Sequence, residues 1–329
     1  MTSGCELPRA GIGSSELQRG KRPATPKPCG LGLPSRGVDE LDFCDCKRCE
    51  TTAIIAAAAR SHRSLSAARN RGAHSDSRRW YVRVRMMTYN IHRAIGVDRR
   101  FRPERIVEIV THYAPDILLL QEVDEGAPRS REMDLGRDLA GALDYPHFVV
   151  GHNVSLRKGR YGNATLSRYP ILRERNIDLT IDSRKRRGCQ HTTIEIEKAH
   201  GHPHKMDVFN LHLGLGAQER VRQIGHLVRS REFLDLDPDQ PSVVGGDFND
   251  WRSLLHPIFT EILRFGCATR KGDGYNGALR TYPSFSPRGG LDRIYYRGPI
   301  RAVTAHSCRL RLSKVASDHL PVIADFDLH

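Results

Sequence analysis

A carboxylate and an amide follow a short apolar segment in PSVVGGDFND, residues 241–250. β-Branched residues that end in two glycines predict a buried strand that breaks off into a turn. Asp247 and Asn249 are then expected where the strand ends, and the two glycines are expected to leave room for a ligand close to the backbone. An acid and an amide held at a strand end are suited to binding a metal ion or to moving a proton.

Polar residues of similar kinds occur at the ends of other predicted strands. They are Asn90 in MTYNIH, Glu122 in LLLQEVD, His212 in NLHLG, Asp292 in LDRIYY, and Asp318 with His319 in SDHLPV. Buried strands of an α/β protein often bring polar residues to one edge of a sheet, and ligands bind there. We therefore expect these side chains to share one cleft with Asp247 and Asn249.

The residue types indicate which chemistry this cleft supports. Oxygen ligands without cysteine suit a hard cation, so Mg²⁺ or Mn²⁺ is expected rather than Zn²⁺. Histidines beside carboxylates suit proton transfer and hydrogen bonding to a phosphate group. The chain has no P-loop motif and no Gly-x-Ser-x-Gly segment, which argues against a P-loop NTPase and against a serine hydrolase.

The elements that must position these residues follow one another through residues 81–329. Segments that alternate or are continuously apolar predict strands, and apolar residues at helical spacing predict helices. Helices are predicted in PERIVEIVTHY from Pro103, in REMDLGRDLAGAL, in the long segment AQERVRQIGHLVRSREFL, and near residues 254–264. Helices and strands alternate at first, and strand segments then follow one another. This order predicts an α/β fold with two stacked mixed sheets and helices outside, a four-layer α/β sandwich.

The chain is basic, with a formal net charge of +14 over 329 residues, of which 39% are apolar. Such a charge fits a partner that carries phosphate groups. Residues 1–80 contain 14 Lys and Arg against 8 Asp and Glu, whereas residues 81–329 contain 38 against 30. The larger region is only mildly basic for its size, which favours an enzyme for a phosphorylated substrate over a protein that coats nucleic acid.

Residues 1–80 differ from the rest because they are rich in Gly, Pro, Ser and Arg and lack apolar periodicity. This composition predicts a disordered basic leader, or a start codon assigned upstream of a true start at Met86 or Met87. The segment CDCKRC has no second cysteine pair and no histidine at finger spacing, so a zinc site is not expected there. The scattered cysteines after residue 80, with no long apolar segment and no signal peptide, predict a cytoplasmic protein without membrane insertion.

Seven motifs together resemble the endonuclease/exonuclease/phosphatase superfamily, to which DNase I belongs. They occur in the order expected for that family, as MTYNIH, LLLQEVD, YGNATLSRYPI, NLHLG, GGDFND, LDRIYY and SDHLPV. Each motif alone is weak, whereas seven in order over about residues 83–327 are specific. The resemblance implies a DNase I-like catalytic domain over residues 81–329 and is closest to bacterial metal-dependent hydrolases of undefined substrate.

The resemblance also implies a role for each residue of the cleft. The implied metal ligands are Asn90, Glu122 and Asp318, of which Asp318 either contacts the metal or orients a ring. The implied catalytic residues are Asp247, Asn249, His212, His319 and Asp292, the last of which pairs with the first histidine in the family. Asp247 positions or deprotonates the attacking water, Asn249 and His212 contact phosphate, and His319 acts as base or as donor. The choice of general base between Asp247 and His319 stays open.

Two further residues are candidates for substrate contact. Asn163 in YGNATLS resembles a position that lines the site in the family, although a hairpin turn explains it equally well. Arg187 precedes a strand and is able to clamp a phosphate, although a solvated member of the segment RKRR is the alternative. Among the remaining histidines, His92 lies near the metal motif, but a purely structural role explains it equally well. His191 is expected to be exposed on a strand, and the segment HGHPH is expected to be a solvated loop.

These features predict a Mg²⁺-dependent phosphoesterase that hydrolyses a phosphodiester or a phosphomonoester by in-line attack of water. The favoured substrate is a phospholipid or a small phosphate, because residues 83–329 contain no long basic loop and MTYNIH departs from the Trp-Asn motif of AP endonucleases. A DNA or RNA nuclease is the alternative, and an inactive binding member of the family is a remote one. A monomer is expected in each case.

Overall fold

The computed structural model describes residues 81–196, 203–270 and 277–329. The predicted leader at residues 1–80 and most of the HGHPH segment lie outside the described residues. The described residues form two six-stranded mixed β-sheets with helices on their outer faces. The predicted four-layer α/β sandwich is confirmed.

The strands of the described residues are β1 (Val82–Asn90), β2 (Ile117–Glu125), β3 (His147–Ser155), β4 (Arg160–Ser167), β5 (Ile171–Asp178), β6 (Gly188–Ile196), β7 (His204–His212), β8 (Ser242–Asp247), β9 (Gly266–Cys267), β10 (Asp292–Arg297), β11 (Ile300–Ser307) and β12 (Val322–Leu328). The first sheet has the order β11-β12-β1-β2-β4-β3, and the second has the order β5-β6-β7-β8-β10-β9. One central pair in each sheet is parallel, β1 with β2 and β7 with β8, and the other neighbours are antiparallel.

The strand register brings the predicted site residues to one edge of the sandwich. Asp247 ends β8, where it lies opposite Asp292 at the start of β10 and beside His212 at the end of β7. In the other sheet, Asn90 ends β1 and pairs with the residue that precedes Glu122. Parallel strands end at the same side of a sheet, so this edge collects side chains from distant parts of the chain.

The α-helices of the described residues are α1 (Pro103–Tyr113), α2 (Leu135–Ala142), α3 (Ala217–Val228), α4 (Arg231–Leu234) and α5 (Ser313–Ala316). The single long helix predicted from residue 217 onward is wrong, because Ser230 is extended and its hydroxyl accepts a hydrogen bond from Phe233 N, which caps the short α4. Near residues 254–264 the chain forms a π-helical segment, Ile258–Ile262. No helix in the described ranges combines the length and the apolar character that a membrane span requires.

Alternation along the central strands produces three apolar layers. In β1, Met86 packs between the sheets with Val208, while its neighbour Met87 packs under α1 against Ile106. On the other side of the molecule, Leu211 of β7 packs against α3. Each fully buried side chain of this kind stabilises the fold by about 1.5–3 kcal/mol, so the strands that carry the site are held from both faces.

Candidate active site

Asp247 lies at the centre of the cleft edge and is 1% exposed. Its Oδ1 accepts a hydrogen bond from the backbone N of Asn249 at 3.0 Å, and its Oδ2 accepts one from Asn90 Nδ2 at 3.1 Å. Asn90 belongs to the first sheet and Asp247 to the second. The carboxylate is therefore held in one orientation by groups from both sheets.

The two glycines before Asp247 serve strand packing, and the expectation that they leave room for a ligand is wrong. Both lie inside β8, and a Cβ at Gly245 would lie 2.8 Å from Leu119 Cδ1. Gly246 has a φ of +140°, and a Cβ there would collide with the carbonyl oxygen of Leu211 in the neighbouring β7. The glycines allow the two sheets and the β7–β8 pair to approach closely at the site.

Two histidines face the same oxygen of Asp247. Nε2 of His212 lies 3.4 Å from Asp247 Oδ2, and Nε2 of His319 lies 3.7 Å from it. Both rings are buried. Because little water reaches this point, electrostatic interactions between the three groups are stronger than they are in solution.

His319 is oriented by a carboxylate, because its Nδ1 lies 2.9 Å from Asp292 Oδ2. The expectation that Asp292 pairs with the first histidine is therefore wrong; Nδ1 of that histidine, His212, faces a different residue. Burial by itself lowers the pKa of His319, but the charges of Asp292 and Asp247 outweigh burial and raise this pKa to about 10. His319 is a cation at neutral pH.

Asp247 responds to the same environment in the opposite sense. Burial raises the pKa of Asp247 to about 6, an effect that the charge of His319 opposes and that the charge of Asp292 increases. These opposite causes favour a proton on His319 over a proton on Asp247. The pair thus presents an anionic acceptor and a cationic donor side by side.

A guanidinium, not a carboxylate, orients His212. Nη1 of Arg187 lies 3.3 Å from His212 Nδ1. Arginine only donates hydrogen bonds, so Nδ1 is the acceptor and the ring proton resides on Nε2. Burial, reinforced by the charge of Arg187, lowers the pKa of His212 well below its ordinary value. His212 is therefore a neutral ring with an N–H directed toward Asp247.

Asn249 follows in the turn after β8 and has a φ of 50°, a left-handed conformation that asparagine adopts more readily than most residues. Its Nδ2 donates a hydrogen bond to Leu213 O at 3.0 Å. This bond ties the turn to the segment that follows β7. The amide is thereby fixed beside Asp247 and His212, with one N–H left for another acceptor.

Glu122, the first implied metal ligand, lies in a β-bulge of β2. The register with β4 shifts between Leu120 and Val123, and Glu122 has a φ of 57°. A bulge turns a side chain out of the regular alternation of a strand, and bulges are common next to active sites. Oε2 of Glu122 is buried without a hydrogen-bond partner and lies 3.3 Å from Nε of Arg93. A buried carboxylate oxygen in this state is suited to a cation.

The other two implied ligands lie on neighbouring segments. Oδ1 of Asn90 accepts a hydrogen bond from His92 N at 3.0 Å, which leaves this oxygen a second lone pair. Oδ1 of Asp318 lies 4.0 Å from His92 Nδ1, and the Asp318 side chain is partly exposed. Glu122, Asn90 and Asp318 together supply oxygen donors without sulfur, the donor set that Mg²⁺ and Mn²⁺ prefer.

The tightest cluster of ligand atoms in the described residues is a different set. Asp247, Asp292 and His319 place one ligand atom each within 4.8 Å of one another. Glu122 and Asp318 are not part of this cluster. Asp292 and His319 already bond to each other, and the second oxygen of Asp292 is buried without a partner. The structure thus gathers three of the implied catalytic residues in one cluster of potential ligand atoms.

Asn163 is buried between the sheets rather than in a hairpin turn. Its Nδ2 donates hydrogen bonds to Gly188 O at 3.2 Å and to Asn210 O at 3.1 Å. Both N–H groups are engaged in joining β4 to the second sheet. A contact of this nitrogen with a substrate would replace one of these bonds.

Asn210 of β7 bridges the two sheets. Its Nδ2 donates hydrogen bonds to Leu120 O at 3.1 Å and Ala164 O at 3.0 Å, and its Oδ1 accepts one from Gln121 Nε2 at 2.8 Å. A buried amide satisfied in this way fixes the relative position of the sheets. The only signal in the sequence is a polar residue in an otherwise apolar strand.

Other residues also depart from the expectations. His191 is 2% exposed, not exposed on a strand, and its Nε2 lies 2.8 Å from Asp207 Oδ1. Ser317 was not anticipated as part of the site, yet its hydroxyl donates to Asn90 O at 2.7 Å and accepts from His319 N at 3.2 Å. It thus joins the end of β1 to the loop that carries His319. Its position directly before the Asp-His pair is the signal that points to it.

Comparison with known proteins agrees with this arrangement. The sequence model described as the Endonuclease/Exonuclease/phosphatase family matches residues 87–319. The uncharacterized protein YbhP of Escherichia coli (strain K12) is 31% identical over 254 residues, which cover 74% of this chain and 96% of YbhP.

Several solved structures have the same fold. An endonuclease/exonuclease/phosphatase from Beutenbergia cavernae DSM 12333 has a TM-score of 0.64 at 22% identity and covers 76% of this chain and 72% of its own. A mannosyl-6-phosphatase from Bacteroides thetaiotaomicron VPI-5482 has a TM-score of 0.58 at 17% identity, with coverages of 74% and 99%. TDP2 from D. rerio, complexed with single strand DNA product, has a TM-score of 0.57 at 15% identity, with coverages of 76% and 99%. At these identities the likeness concerns the fold alone.

Proposed function

This chain belongs to the endonuclease/exonuclease/phosphatase family, and we propose that it hydrolyses a phosphate ester with the help of Mg²⁺ or Mn²⁺. One observation carries the proposal: two buried histidines approach Asp247 Oδ2 at 3.4 and 3.7 Å. One ring is cationic and the other is neutral. An ionised carboxylate between two N–H donors suits a water molecule that attacks a phosphoryl group and the phosphoryl oxygens that gain charge.

In the proposed reaction Asp247 orients the attacking water and accepts its proton as the new P–O bond forms; the ester P–O bond opposite the water breaks, and the leaving alcohol takes up a proton from solvent. This choice of base follows from the charges, since the pKa of His319 is raised to about 10 while that of Asp247 is about 6. A group that is already protonated at neutral pH does not accept a proton. His319 therefore acts as a cationic donor to a phosphoryl oxygen, and Asp292 holds its ring in place.

His212 and Asn249 complete the proposed set of donors. The Nε2–H of His212 is aimed at the same space as Asp247 Oδ2, and Asn249 keeps one N–H free of its bond to Leu213 O. Donors that are fixed before the substrate arrives need no reorganisation when negative charge develops. We expect this electrostatic contribution to be the largest part of the rate enhancement.

Glu122, Asn90 and Asp318 are the residues proposed to hold the cation. The buried Oε2 of Glu122 has no hydrogen-bond partner and is held only by its ion pair with Arg93, so it is available to a divalent ion that displaces this guanidinium. When bound to these residues, a divalent ion would supply positive charge to polarise a phosphoryl group and to neutralise negative charge on it. Arg93, 3.3 Å from Glu122 Oε2, balances the carboxylate in the structure described.

For the substrate we propose a phospholipid or a small phosphate, with nucleic acid as the alternative. Proteins of the same fold support both classes, since one is a mannosyl-6-phosphatase and another was solved with a single strand DNA product. An inactive binding role is disfavoured because every implied catalytic position carries the required residue type. We also propose a monomer in a reducing cytoplasm, which the free thiols of Cys189, Cys267 and Cys308 support.

An activity panel tests the proposed function. The full-length protein is assayed with Mg²⁺ and with Mn²⁺ on bis(p-nitrophenyl) phosphate, p-nitrophenyl phosphate, plasmid DNA, an abasic oligonucleotide, RNA, phospholipids and inositol phosphates. We expect hydrolysis of at least one substrate that EDTA abolishes and that Asp247→Asn removes. Asp182→Asn is the matched control, because this carboxylate pairs with Arg222 on the surface. Near-normal rates in excess EDTA would contradict the proposed metal dependence. Absence of hydrolysis on every substrate of the panel would contradict the proposed hydrolase activity.

A further inference from the structure

Two arginine–carboxylate pairs at the end of β2 differ in how firmly they are held. Arg129 donates hydrogen bonds to both carboxylate oxygens of Asp124, each at 2.8 Å. Nε of Arg93, in contrast, lies 3.3 Å from Oε2 of Glu122, and neither atom forms a hydrogen bond within the described part of the chain. Two aligned hydrogen bonds fix a guanidinium in place, whereas a single charge contact does not. The contact between Arg93 and Glu122 is therefore open to replacement by another cation.

The backbone that carries Arg93 is a tight left-handed turn directly after β1. His92, Arg93 and Ala94 have φ values of 44°, 61° and 57°. The backbone N atoms of Ala94 and Ile95 close the turn with hydrogen bonds of 2.8 and 3.0 Å to preceding carbonyl oxygens. Non-glycine residues rarely adopt this backbone, and it persists where the surrounding structure enforces it. Because the turn fixes the backbone of Arg93, its guanidinium is able to move by side-chain rotation alone.

The Arg93 side chain acts on both parts of the proposed site. It is 24% exposed, which leaves it at the surface of the cleft, whereas the Glu122 side chain is 15% exposed. Burial is the largest cause of the low pKa of His212, and the charge of Arg93 contributes to it. One guanidinium is thus close to the carboxylate proposed to hold a cation and to the ring proposed to contact a phosphoryl oxygen.

Elementary electrostatics decides which cation Glu122 binds. A divalent ion carries twice the charge of a guanidinium and approaches a carboxylate oxygen to about 2.1 Å, so it is favoured at this oxygen. The displaced guanidinium is then repelled by the ion and attracted to the nearest anion. When substrate is bound, this anion is the phosphoryl group beside Asp247 and His212, and guanidinium groups bind phosphate oxygens through charge-assisted hydrogen bonds.

We propose that Arg93 is an exchangeable counter-ion, which neutralises Glu122 until a divalent ion binds there and then binds the phosphoryl group of the substrate. The inference rests on the proposed function and adds a coupling to it. The divalent ion frees the arginine that the phosphoryl group uses, so each of the two ligands strengthens the binding of the other. Arg93 is thereby a further substrate-binding residue, although it lies in a turn and not at a strand end.

The first experiment measures the binding of Mn²⁺ alone to the full-length protein by calorimetry. The unaltered protein is compared with Arg93→Ala and with Arg93→Met, which keeps an unbranched stem. We expect both variants to bind Mn²⁺ at least ~10-fold more tightly, because the ion no longer has to displace a cation. Arg100→Ala is the control, since it removes the same charge from an exposed position of the same loop. Unchanged or weaker binding in both Arg93 variants, or an equal gain in the control, would overturn the proposal.

The second experiment measures the binding of inorganic phosphate in saturating Mg²⁺ and in EDTA. We expect Arg93→Ala to weaken phosphate binding about 10-fold in Mg²⁺ and to leave it unchanged in EDTA, where Arg93 stays with Glu122. An arginine that only attracts anions to the cleft would strengthen phosphate binding in both conditions. An equal loss in Mg²⁺ and in EDTA, or no loss in Mg²⁺, therefore contradicts the exchange.

Thermal unfolding separates the exchange from a structural role of Arg93. In EDTA, Arg93→Ala should have a lower Tm than the unaltered protein, because the carboxylate of Glu122 loses its counter-ion. Saturating Mn²⁺ should remove this difference, since the ion takes the place of the guanidinium. A difference in Tm that persists in Mn²⁺ would assign Arg93 to the stability of the turn and would refute the exchange.

These measurements need no turnover, so failure of this inference is distinguishable from failure of the proposed function. Metal-dependent hydrolysis with a Mn²⁺ affinity that does not depend on Arg93 contradicts the exchange alone. Opposite shifts in Mn²⁺ and phosphate affinity without hydrolysis on the activity panel contradict the proposed hydrolase activity alone. Absence of Mn²⁺ binding to every variant contradicts the proposed cation site and the exchange together.

Discussion

Two buried histidines approach the same oxygen of Asp247, yet the partner of the second ring nitrogen differs. His319 faces Asp292 at 2.9 Å, whereas His212 faces Arg187 at 3.3 Å. Burial lowers the pKa of His319, but the charges of Asp292 and Asp247 outweigh burial and raise this pKa to about 10. Burial and the charge of Arg187 both lower the pKa of His212, which falls well below its ordinary value. Both residues are buried histidines, so the residue that faces Nδ1 decides the charge of each ring.

The difference gives the site two donors of unlike character. The cationic ring contributes a charge-assisted hydrogen bond, and the neutral ring contributes an N–H without adding a charge. A second carboxylate in place of Arg187 would favour a second imidazolium and would add negative charge where a phosphate must bind. An arginine at this position keeps His212 neutral.

The largest expected effect comes from deleting the rings or the acid between them. His319→Ala, His212→Ala and Asp247→Asn should each lower kcat per folded molecule by roughly 10²–10⁴. His319→Ala should also lower Tm, because it leaves the buried carboxylate of Asp292 without its partner. The double variant Asp247→Asn with His319→Ala should be far from additive, since both act on one phosphoryl group. Steady-state rates and thermal unfolding are measured on the same samples. Unchanged kcat with lowered Tm would reduce both histidines to structural residues.

Glu122→Ala tests whether the cation site is separate from the histidine pairs. We expect at least ~100-fold lower turnover and a higher metal concentration for half-maximal rate, because a buried carboxylate ligand is lost. The measurement is kcat against Mg²⁺ and Mn²⁺ concentration. Glu174→Ala, on the exposed face of β5, is the control. A variant with a normal metal titration would remove Glu122 from the ligand set.

Asp292→Asn tests whether the residue that faces Nδ1 of His319 sets the charge of this ring. The variant should lower kcat by about 10–100-fold. Asp292 raises the pKa of His319, so its neutralisation should lower that pKa from about 10. The cationic form is present below the pKa and is lost as pH rises through it. The high-pH limb of the kcat profile should therefore move to lower pH in the variant. An unmoved limb would show that Asp292 does not set the charge of His319.

His191→Ala provides a buried histidine–carboxylate pair outside the cleft. His191 bonds Asp207 at 2.8 Å and stacks on Phe209 with a centroid distance of 4.5 Å. We expect unchanged kcat and a loss of about 1–3 kcal/mol in the free energy of unfolding, because a buried carboxylate loses its partner. Urea denaturation and the activity assay decide this. A large loss of activity per folded molecule would show that pairing alone does not identify the catalytic histidines.

The smallest effect is expected from removal of residues 1–80. Their sequence lacks the apolar periodicity of the rest, so we expect a chain that begins at Arg83 to fold and to hydrolyse a generic phosphodiester at the rate of the full chain. Both histidine variants should then behave as they do in the full chain. Insolubility of the shorter chain beside a stable full chain would contradict the prediction of a dispensable leader.

Local patterns predicted the individual elements well. The segment that begins at Pro103 forms α1 from Pro103 to Tyr113, and the apolar segment PSVV leads into β8, Ser242–Asp247. Periodicity is a local property that each segment carries by itself. The break at Ser230 was missed because the helical spacing continues across it, while a hydroxyl that caps a new turn competes with that spacing.

Residue type and position at a strand end identified the candidate site residues in the sequence. The contacts that these side chains make with one another were not predictable from it. Arg187 was one of four basic residues in RKRR, and the sequence did not distinguish the buried member from its exposed neighbours. The sequence likewise predicts an exposed His191 and does not mark Asn210 as buried, although both side chains are buried. Burial of a polar side chain depends on the second sheet that covers it, and that sheet comes from distant parts of the chain.

The sequence by itself determined the class of fold, the order of its elements and the set of polar residues that end the strands, because these follow from spacing along one segment at a time. The tertiary structure alone decided which acid meets which ring. Asp292 reaches His319 across 27 positions, and Arg187 reaches His212 across 25. The charge of each histidine is a sum over such neighbours and over burial, and neither quantity exists until the two sheets are packed together.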